Sequence, residues 1–205
     1  MSGTSGAAQI AEAHELLLRL AGRLDDRHLW RYRDWLAAGA VDAVARVLPL
    51  TLLRERVSIT PDESRLVGAV LLPAGADAER LNAIPWVDEI SETDYTFSAE
   101  SPDRVNLGDS TAVVLGAILR GRPEVVAART TWRRVRGAGS AARVVLVTTT
   151  GDAARLTGEL QRVLRALGTA EPVVEVLPAG FESTEYHRAA LAAAEPLVEG
   201  HLVAS

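Results

Sequence analysis

Neither cysteine nor lysine occurs in this chain of 205 residues. Without a thiol there is no disulfide, no cysteine nucleophile, no Cys-ligated zinc and no thiol redox switch. Without lysine there is no Schiff-base chemistry and no ammonium to grip a phosphate as in P-loop and kinase folds. All 22 basic residues are therefore Arg, and the Ala- and Gly-rich background around them fits a GC-rich coding sequence rather than selection for bidentate pairing. Long apolar runs are missing as well: Arg, Asp or Pro interrupts each one short of the roughly 18 residues that cross a bilayer. Residues 1–6 lack the basic start and apolar middle of a secretion signal and read as a short disordered tail. The expectation is a soluble, cytoplasmic protein without a membrane partner.

What is present is unevenly spread. Residues 1–105 hold 17 carboxylates and 11 Arg, while residues 106–205 hold 10 and 11, so the halves carry net charges of −6 and +1. Residues 88–103 contain six carboxylates and no Arg, and residues 120–143 contain seven Arg against the single Glu124. These two windows are the strongest charge features of the chain.

Periodicity makes the first half helical. Ile10, His14, Leu17, Ala21 and Leu24 recur at helical spacing and predict a helix over 7–24 that ends near Gly22. An aromatic-rich helix follows over 27–38, and a third over 41–56 is kinked or divided by Pro49. Thr60-Pro61-Asp62-Glu63 combines a capping hydroxyl, a proline at the first helical position and a capping-box acid, predicting a helix over 61–72. A short fifth helix is predicted over 77–84. The helical region thus spans 7–85, and an acidic linker or surface loop, with a short strand at 95–98, spans 86–106.

The second half, 107–198, reads as α-β-β-α-β-α: helix 109–120, strand 125–136, hairpin loop 137–140, strand 143–150, helix 152–167, strand 173–177 and a final helix 183–198. The unbroken Val144-Val145-Leu146-Val147 suits a strand covered on both faces. The predicted class is α+β: an all-helical N-terminal region followed by a small mixed sheet with flanking helices. Arg122-Pro123-Glu124-Val125, the strand Val173–Pro178 and Glu185-Tyr186-His187-Arg188 resemble the C-terminal domain of enhanced serine sensitivity protein over residues 109–198. That resemblance implies a regulatory or binding role and brings no catalytic residues with it.

Several short patterns carry candidate chemistry. Gly108-Asp109-Ser110-Thr111 looks like the nucleophile block of GDS-type esterases, but Thr184 stands where those enzymes place an Asp before His187, so Asp109 and Ser110 read better as a helix start. His14-Glu15 opens like a zinc-protease helix, yet Leu18 occupies the second ligand position, and His14, His28, His187 and His201 show no metal spacing. Ser183 and His187 lie one turn apart, with Ser183 read as a cap rather than a nucleophile. Thr148-Thr149-Thr150-Gly151-Asp152 joins a strand to a helix N-terminus, where phosphates bind, but lacks Gly-x-Gly-x-x-Gly and places an acid at the anion position.

The residues singled out for binding are Trp132, Arg133, Arg134 and Arg136, near the tip of the predicted hairpin. One aromatic within a basic cluster suits phosphate contacts and base stacking, but an acidic chain favours an acidic protein surface over nucleic acid. Alternation places Trp132 with Arg134 and Arg133 with Val135. The functional expectation is a non-enzymatic regulatory or adaptor protein acting through protein contacts or self-association as a homo-oligomer, with no cofactor and no metal. A nucleic-acid or nucleotide-binding module is the first alternative. A hydrolase with a site invisible to spacing is the second.

Overall fold

In the computed structural model the described residues are 2–90, 95–100, 109–136 and 141–198. They have an α+β fold, and the chain divides into two compact units, Met1–Glu92 and Thr93–Ser205. The predicted loop at 137–140, residues 101–108 and the acids Glu92, Asp94 and Asp103 lie outside the described residues.

The first unit is built from α1 (Ser2–Arg19), α2 (Asp26–Ala37), α3 (Val41–Arg54), α4 (Pro61–Leu71) and α5 (Ala78–Asn82). α1 begins at Ser2, so it runs through the segment expected to be a loose tail. Once the apolar face of α1 is packed, each further turn adds a hydrogen bond without a new nucleation cost. Leu16, Leu17 and Leu20, Leu29 and Leu36 of α2, Leu48 and Leu52 of α3, and Val67 and Val70 of α4 are all buried, and α1 packs against α2, α3 and α4. The capping box at α4 forms as its spacing requires: Glu63 N–H donates to Thr60 Oγ1 and Thr60 N–H donates to the Glu63 carboxylate. Pro49 is accommodated inside α3, which continues to Arg54. Beyond α5 the extended Pro85-Trp86-Val87 lies against Ile59, whose N–H donates to Pro85 O (2.9 Å) and whose carbonyl accepts from Val87 N–H (3.0 Å).

The second unit comprises β1 (Tyr95–Ser98), α6 (Ser110–Arg120), β2 (Val125–Val135), β3 (Ala141–Thr149), α7 (Ala153–Ala166), β4 (Val173–Pro178), α8 (Glu185–Ala192) and β5 (Glu195–Val198). Its mixed sheet runs β1-β2-β3-β4, and β5 pairs with β2 on the same side as β1. Only β3 and β4 are parallel, joined by the α7 crossover. On one face Leu115 and Leu119 of α6 and Leu156, Leu160 and Leu164 of α7 cover Ala128, Val145, Val147, Val174 and Val176. On the other, Ala190 and Leu191 of α8 and Phe97 of β1 pack with Val144, Leu146 and Val173.

Two elements extend the predicted order. The strand at 95–98 joins the sheet as β1, in register with residues 132–135 of β2. The final helix stops at Ala192, and the chain returns to the sheet as β5 rather than staying helical to 198. Pro196 explains this, because a proline disfavours helical geometry at the residue before it and cannot donate to a helix ladder. Leu197 then turns into the α6 and α7 core. Among the described residues no helix is long and apolar enough to cross a membrane.

Candidate functional site

The strand alternation of β2 sends its arginines to opposite faces. Arg133 faces the α8 side opposite Ala142, whose small side chain leaves room for a guanidinium. It is only 5% exposed. Its Nη1 donates to Tyr186 Oη at 3.0 Å, and its guanidinium lies 4.4 Å above the ring of Tyr95 and 5.9 Å from that of Tyr186. Tyr95 and Phe97 each meet Tyr186 edge-on, at 6.0 and 5.3 Å between centroids. Arg133 is therefore a core residue that clasps β1 and α8, which corrects its reading as a surface contact. The cause is a set of three aromatic rings, two from β1 and one from α8, that spacing along β2 does not reveal.

Trp132 points to the other face and is half-buried. The Arg143 guanidinium covers its ring at 4.7 Å and also pairs with Asp109 at 2.5 Å. Asp109 in turn caps α6, accepting from Ala112 N–H at 3.0 Å. Trp132 thus already carries a stacked cation of its own chain. Arg134 and Arg136 are exposed, and Val135 between them is 43% exposed. Of the remaining arginines in the window, Arg120 donates to Gly116 O, Arg122 pairs with Glu159 at 2.5 Å, and Arg129 is exposed. Arg129, Arg134 and Arg136 form no ion pair among the described residues. The basic window thus resolves into residues that hold the fold and a smaller set that faces solvent.

A second polar cluster was not visible in the sequence. Glu175 on β4 and His187 on α8 are both fully buried, with His187 Nε2 3.2 Å from Glu175 Oε2. On its other side His187 Nδ1 lies 2.8 Å from Thr184 Oγ1. With a neutral imidazole, Thr184 donates to Nδ1 and Nε2–H donates to the carboxylate. Hydroxyl, imidazole and carboxylate stand in the order of a nucleophile, its base and an orienting acid. Two facts give this relay a structural role. Thr184, not Ser183, is the cap of α8 and accepts from the backbone N–H of His187, and Phe181 closes the imidazole edge-on at 5.5 Å. The cluster ties the start of α8 to β4. Its one trace in the sequence is the acid at the centre of Val173-Val174-Glu175-Val176-Leu177, where apolar residues are otherwise continuous.

The other motifs fall to local structure. Asp109 supplies the cap of α6, and Ser110 is its exposed first residue. Gly108 lies outside the described residues. His14 is 1% exposed within the helical core. No cluster of three metal-ligating side chains occurs among the described residues. At the turn 148–152, Thr149 and Thr150 hydroxyls donate to Glu124 O, and a Cβ on Gly151 would meet Glu124 Cγ at 2.9 Å. Asp152 caps α7 through Arg155 N–H at 2.9 Å. Gly151 N–H donates to Thr149 Oγ1, so two backbone donors a phosphate could use at this turn, those of Gly151 and Arg155, are engaged by the chain itself.

No family model matches this chain, and no curated protein or solved structure was found that is significantly similar to it.

Proposed function

We propose that this is a non-enzymatic regulatory or adaptor protein that holds an acidic protein partner through the exposed arginines at the far end of β2. The observation that supports this reading best is the run Arg134-Val135-Arg136, exposed at each position, with both cations free of ion pairs among the described residues. Planar guanidiniums suit carboxylates on a protein surface, because each offers a fork of donors. The regulatory leaning implied by the resemblance of residues 109–198 to enhanced serine sensitivity protein is part of the same proposal. The nucleic-acid alternative draws on Trp132 beside Arg134. It is disfavoured by Arg143, which occupies one face of the ring that a base would stack upon.

Fluorescence anisotropy with a labelled glutamate-rich peptide and an oligothymidylate of equal charge tests the two readings together. The peptide is expected to bind, to weaken as salt rises, and to be lost in Arg134→Glu with Arg136→Glu. Tighter binding of the oligothymidylate, lost on Trp132→Ala, would instead establish the nucleic-acid reading.

A further inference from the structure

The helical unit carries a surface of the opposite kind. Trp86 is 66% exposed, as much as any large apolar residue among the described residues. Asp88 and Glu89 follow after Val87, both exposed and without an ion pair among the described residues. Backbone bonds of Pro85 and Val87 to Ile59 hold this strip extended, so the indole is presented from an ordered segment. An exposed tryptophan near two carboxylates fits a partner that offers guanidinium groups. Arginine stacks on an indole face while its donors reach neighbouring carboxylates. The chain uses that stacking internally, with Arg143 over Trp132 at 4.7 Å and Arg31 over Trp30 at 5.8 Å.

We propose that the acidic partner of Arg134-Val135-Arg136 is a second copy of this chain, presenting Trp86, Asp88 and Glu89. This rests on the reading of the arginine run as a docking surface and names its occupant. The charge complementarity is direct: the exposed cations Arg134 and Arg136 on one copy meet the exposed carboxylates Asp88 and Glu89 near Trp86 on the other. One surface of each copy meets a different surface of the other. A contact built on so few charged groups belongs among weak, salt-sensitive associations.

The test is a pair of charge-reversed full-length proteins, Asp88→Arg with Glu89→Arg and Arg134→Glu with Arg136→Glu, studied by sedimentation. All four positions are exposed, so folding should be kept, and circular dichroism checks that it is. The wild-type mass should rise with concentration and fall back as salt increases from about 0.05 to 0.5 M, as screening shortens the reach of exposed charges. Each reversed protein alone should remain monomeric. Each keeps one working surface, and the two reversed surfaces of a mixed pair carry opposite charges, so an equimolar mixture should regain concentration-dependent association. Combining all four reversals in one chain should restore concentration-dependent association. Wild-type protein that stays monomeric at every concentration, or a mixture that forms no complex, overturns the inference. Loss of glutamate-rich peptide binding in the Arg134 and Arg136 variant alongside such a result would leave the arginine surface standing and remove only the second copy as its occupant. Failure of peptide binding as well would remove both.

Discussion

Two adjacent arginines of β2 should behave as different kinds of residue. Arg133 is 5% exposed, donates to Tyr186 Oη at 3.0 Å and stacks 4.4 Å above Tyr95; Arg134 next to it is exposed. A hydrogen bond from a charged donor contributes about 1.5–3 kcal/mol, and a cation over a desolvated ring about 0.5–2 kcal/mol. These share one side chain and do not simply add, and removing the charge also relieves its desolvation. Arg133→Ala, which leaves a cavity and removes the hydrogen bond to Tyr186, is expected to cost about 3 kcal/mol. Arg133→Met fills the space without the charge and should cost only about 1 kcal/mol, the residual penalty of the lost hydrogen bond to Tyr186. Arg134→Ala should fall within about 0.5 kcal/mol of wild type. For a unit of this size the alanine change at Arg133 corresponds to a fall in Tm of about 10 °C. Urea unfolding followed by circular dichroism, with calorimetry alongside, measures all three. Peptide binding should show the reverse order, Arg134→Ala weakening it and Arg133→Met leaving it largely intact. Equal stability of the Arg133→Ala and Arg134→Ala proteins within 0.5 kcal/mol would refute the argument and return Arg133 to the surface.

In the helical unit, Tyr32 is buried with its hydroxyl 2.5 Å from Thr51 Oγ1, and burial raises its pKa above the ordinary 10.0, only partly offset by that hydrogen bond. The folded-state pKa being the higher one, its contribution to stability is complete below pH 10 and is lost as pH rises through the raised value, because the unfolded chain releases the proton first. Tyr32→Phe should flatten that alkaline decline while costing about 1 kcal/mol at neutral pH, read from urea midpoints between pH 7 and 11. At α6, Asp109→Ala should cost about 1 kcal/mol through loss of the cap, whereas Ser110→Ala should change stability by less than about 0.5 kcal/mol. A larger loss at Ser110 in the same melts would show that the hydroxyl, not the carboxylate, starts the helix.

The parts of the fold that could be read in the sequence are those whose signals are local. The Thr60 to Glu63 capping box marks the start of α4 within four residues, and the leucines of α7 place its apolar face with no knowledge of what they touch. The end of the chain was harder, because Ala190, Leu191 and Leu197 satisfy a helical period about as well as a strand. There the decision belongs to Pro196 and to the vacant edge of β2 that β5 fills. The cap of α8 slipped by one residue because Ser183 and Thr184 are chemically alike, and only the imidazole geometry of His187 separates them.

The candidate site was less legible for a reason rooted in what charge means in a strand. A run of arginines registers as a surface when the chain is read in one dimension, since a guanidinium is costly to bury. In the folded sheet that cost is offset at Arg133 by a phenol acceptor and aromatic faces drawn from β1 and α8, residues 36 to 38 positions before it and 53 positions after it. Glu175 follows the same logic with His187, at a separation of 12 residues. Each buried charge is legible only together with a partner from another element, so the exposed remainder of a charge window emerges by subtraction, after the core has taken its members. For β2 and the turn after it the subtraction leaves Arg129, Arg134 and Arg136, and the proposed contact rests on the last two because they lie close together in sequence at the end of the strand. A surface that must release a weakly held partner gains from that division: substitutions at Arg134 and Arg136 can tune affinity without passing through the clasp at Arg133 that keeps β1 and α8 on the sheet.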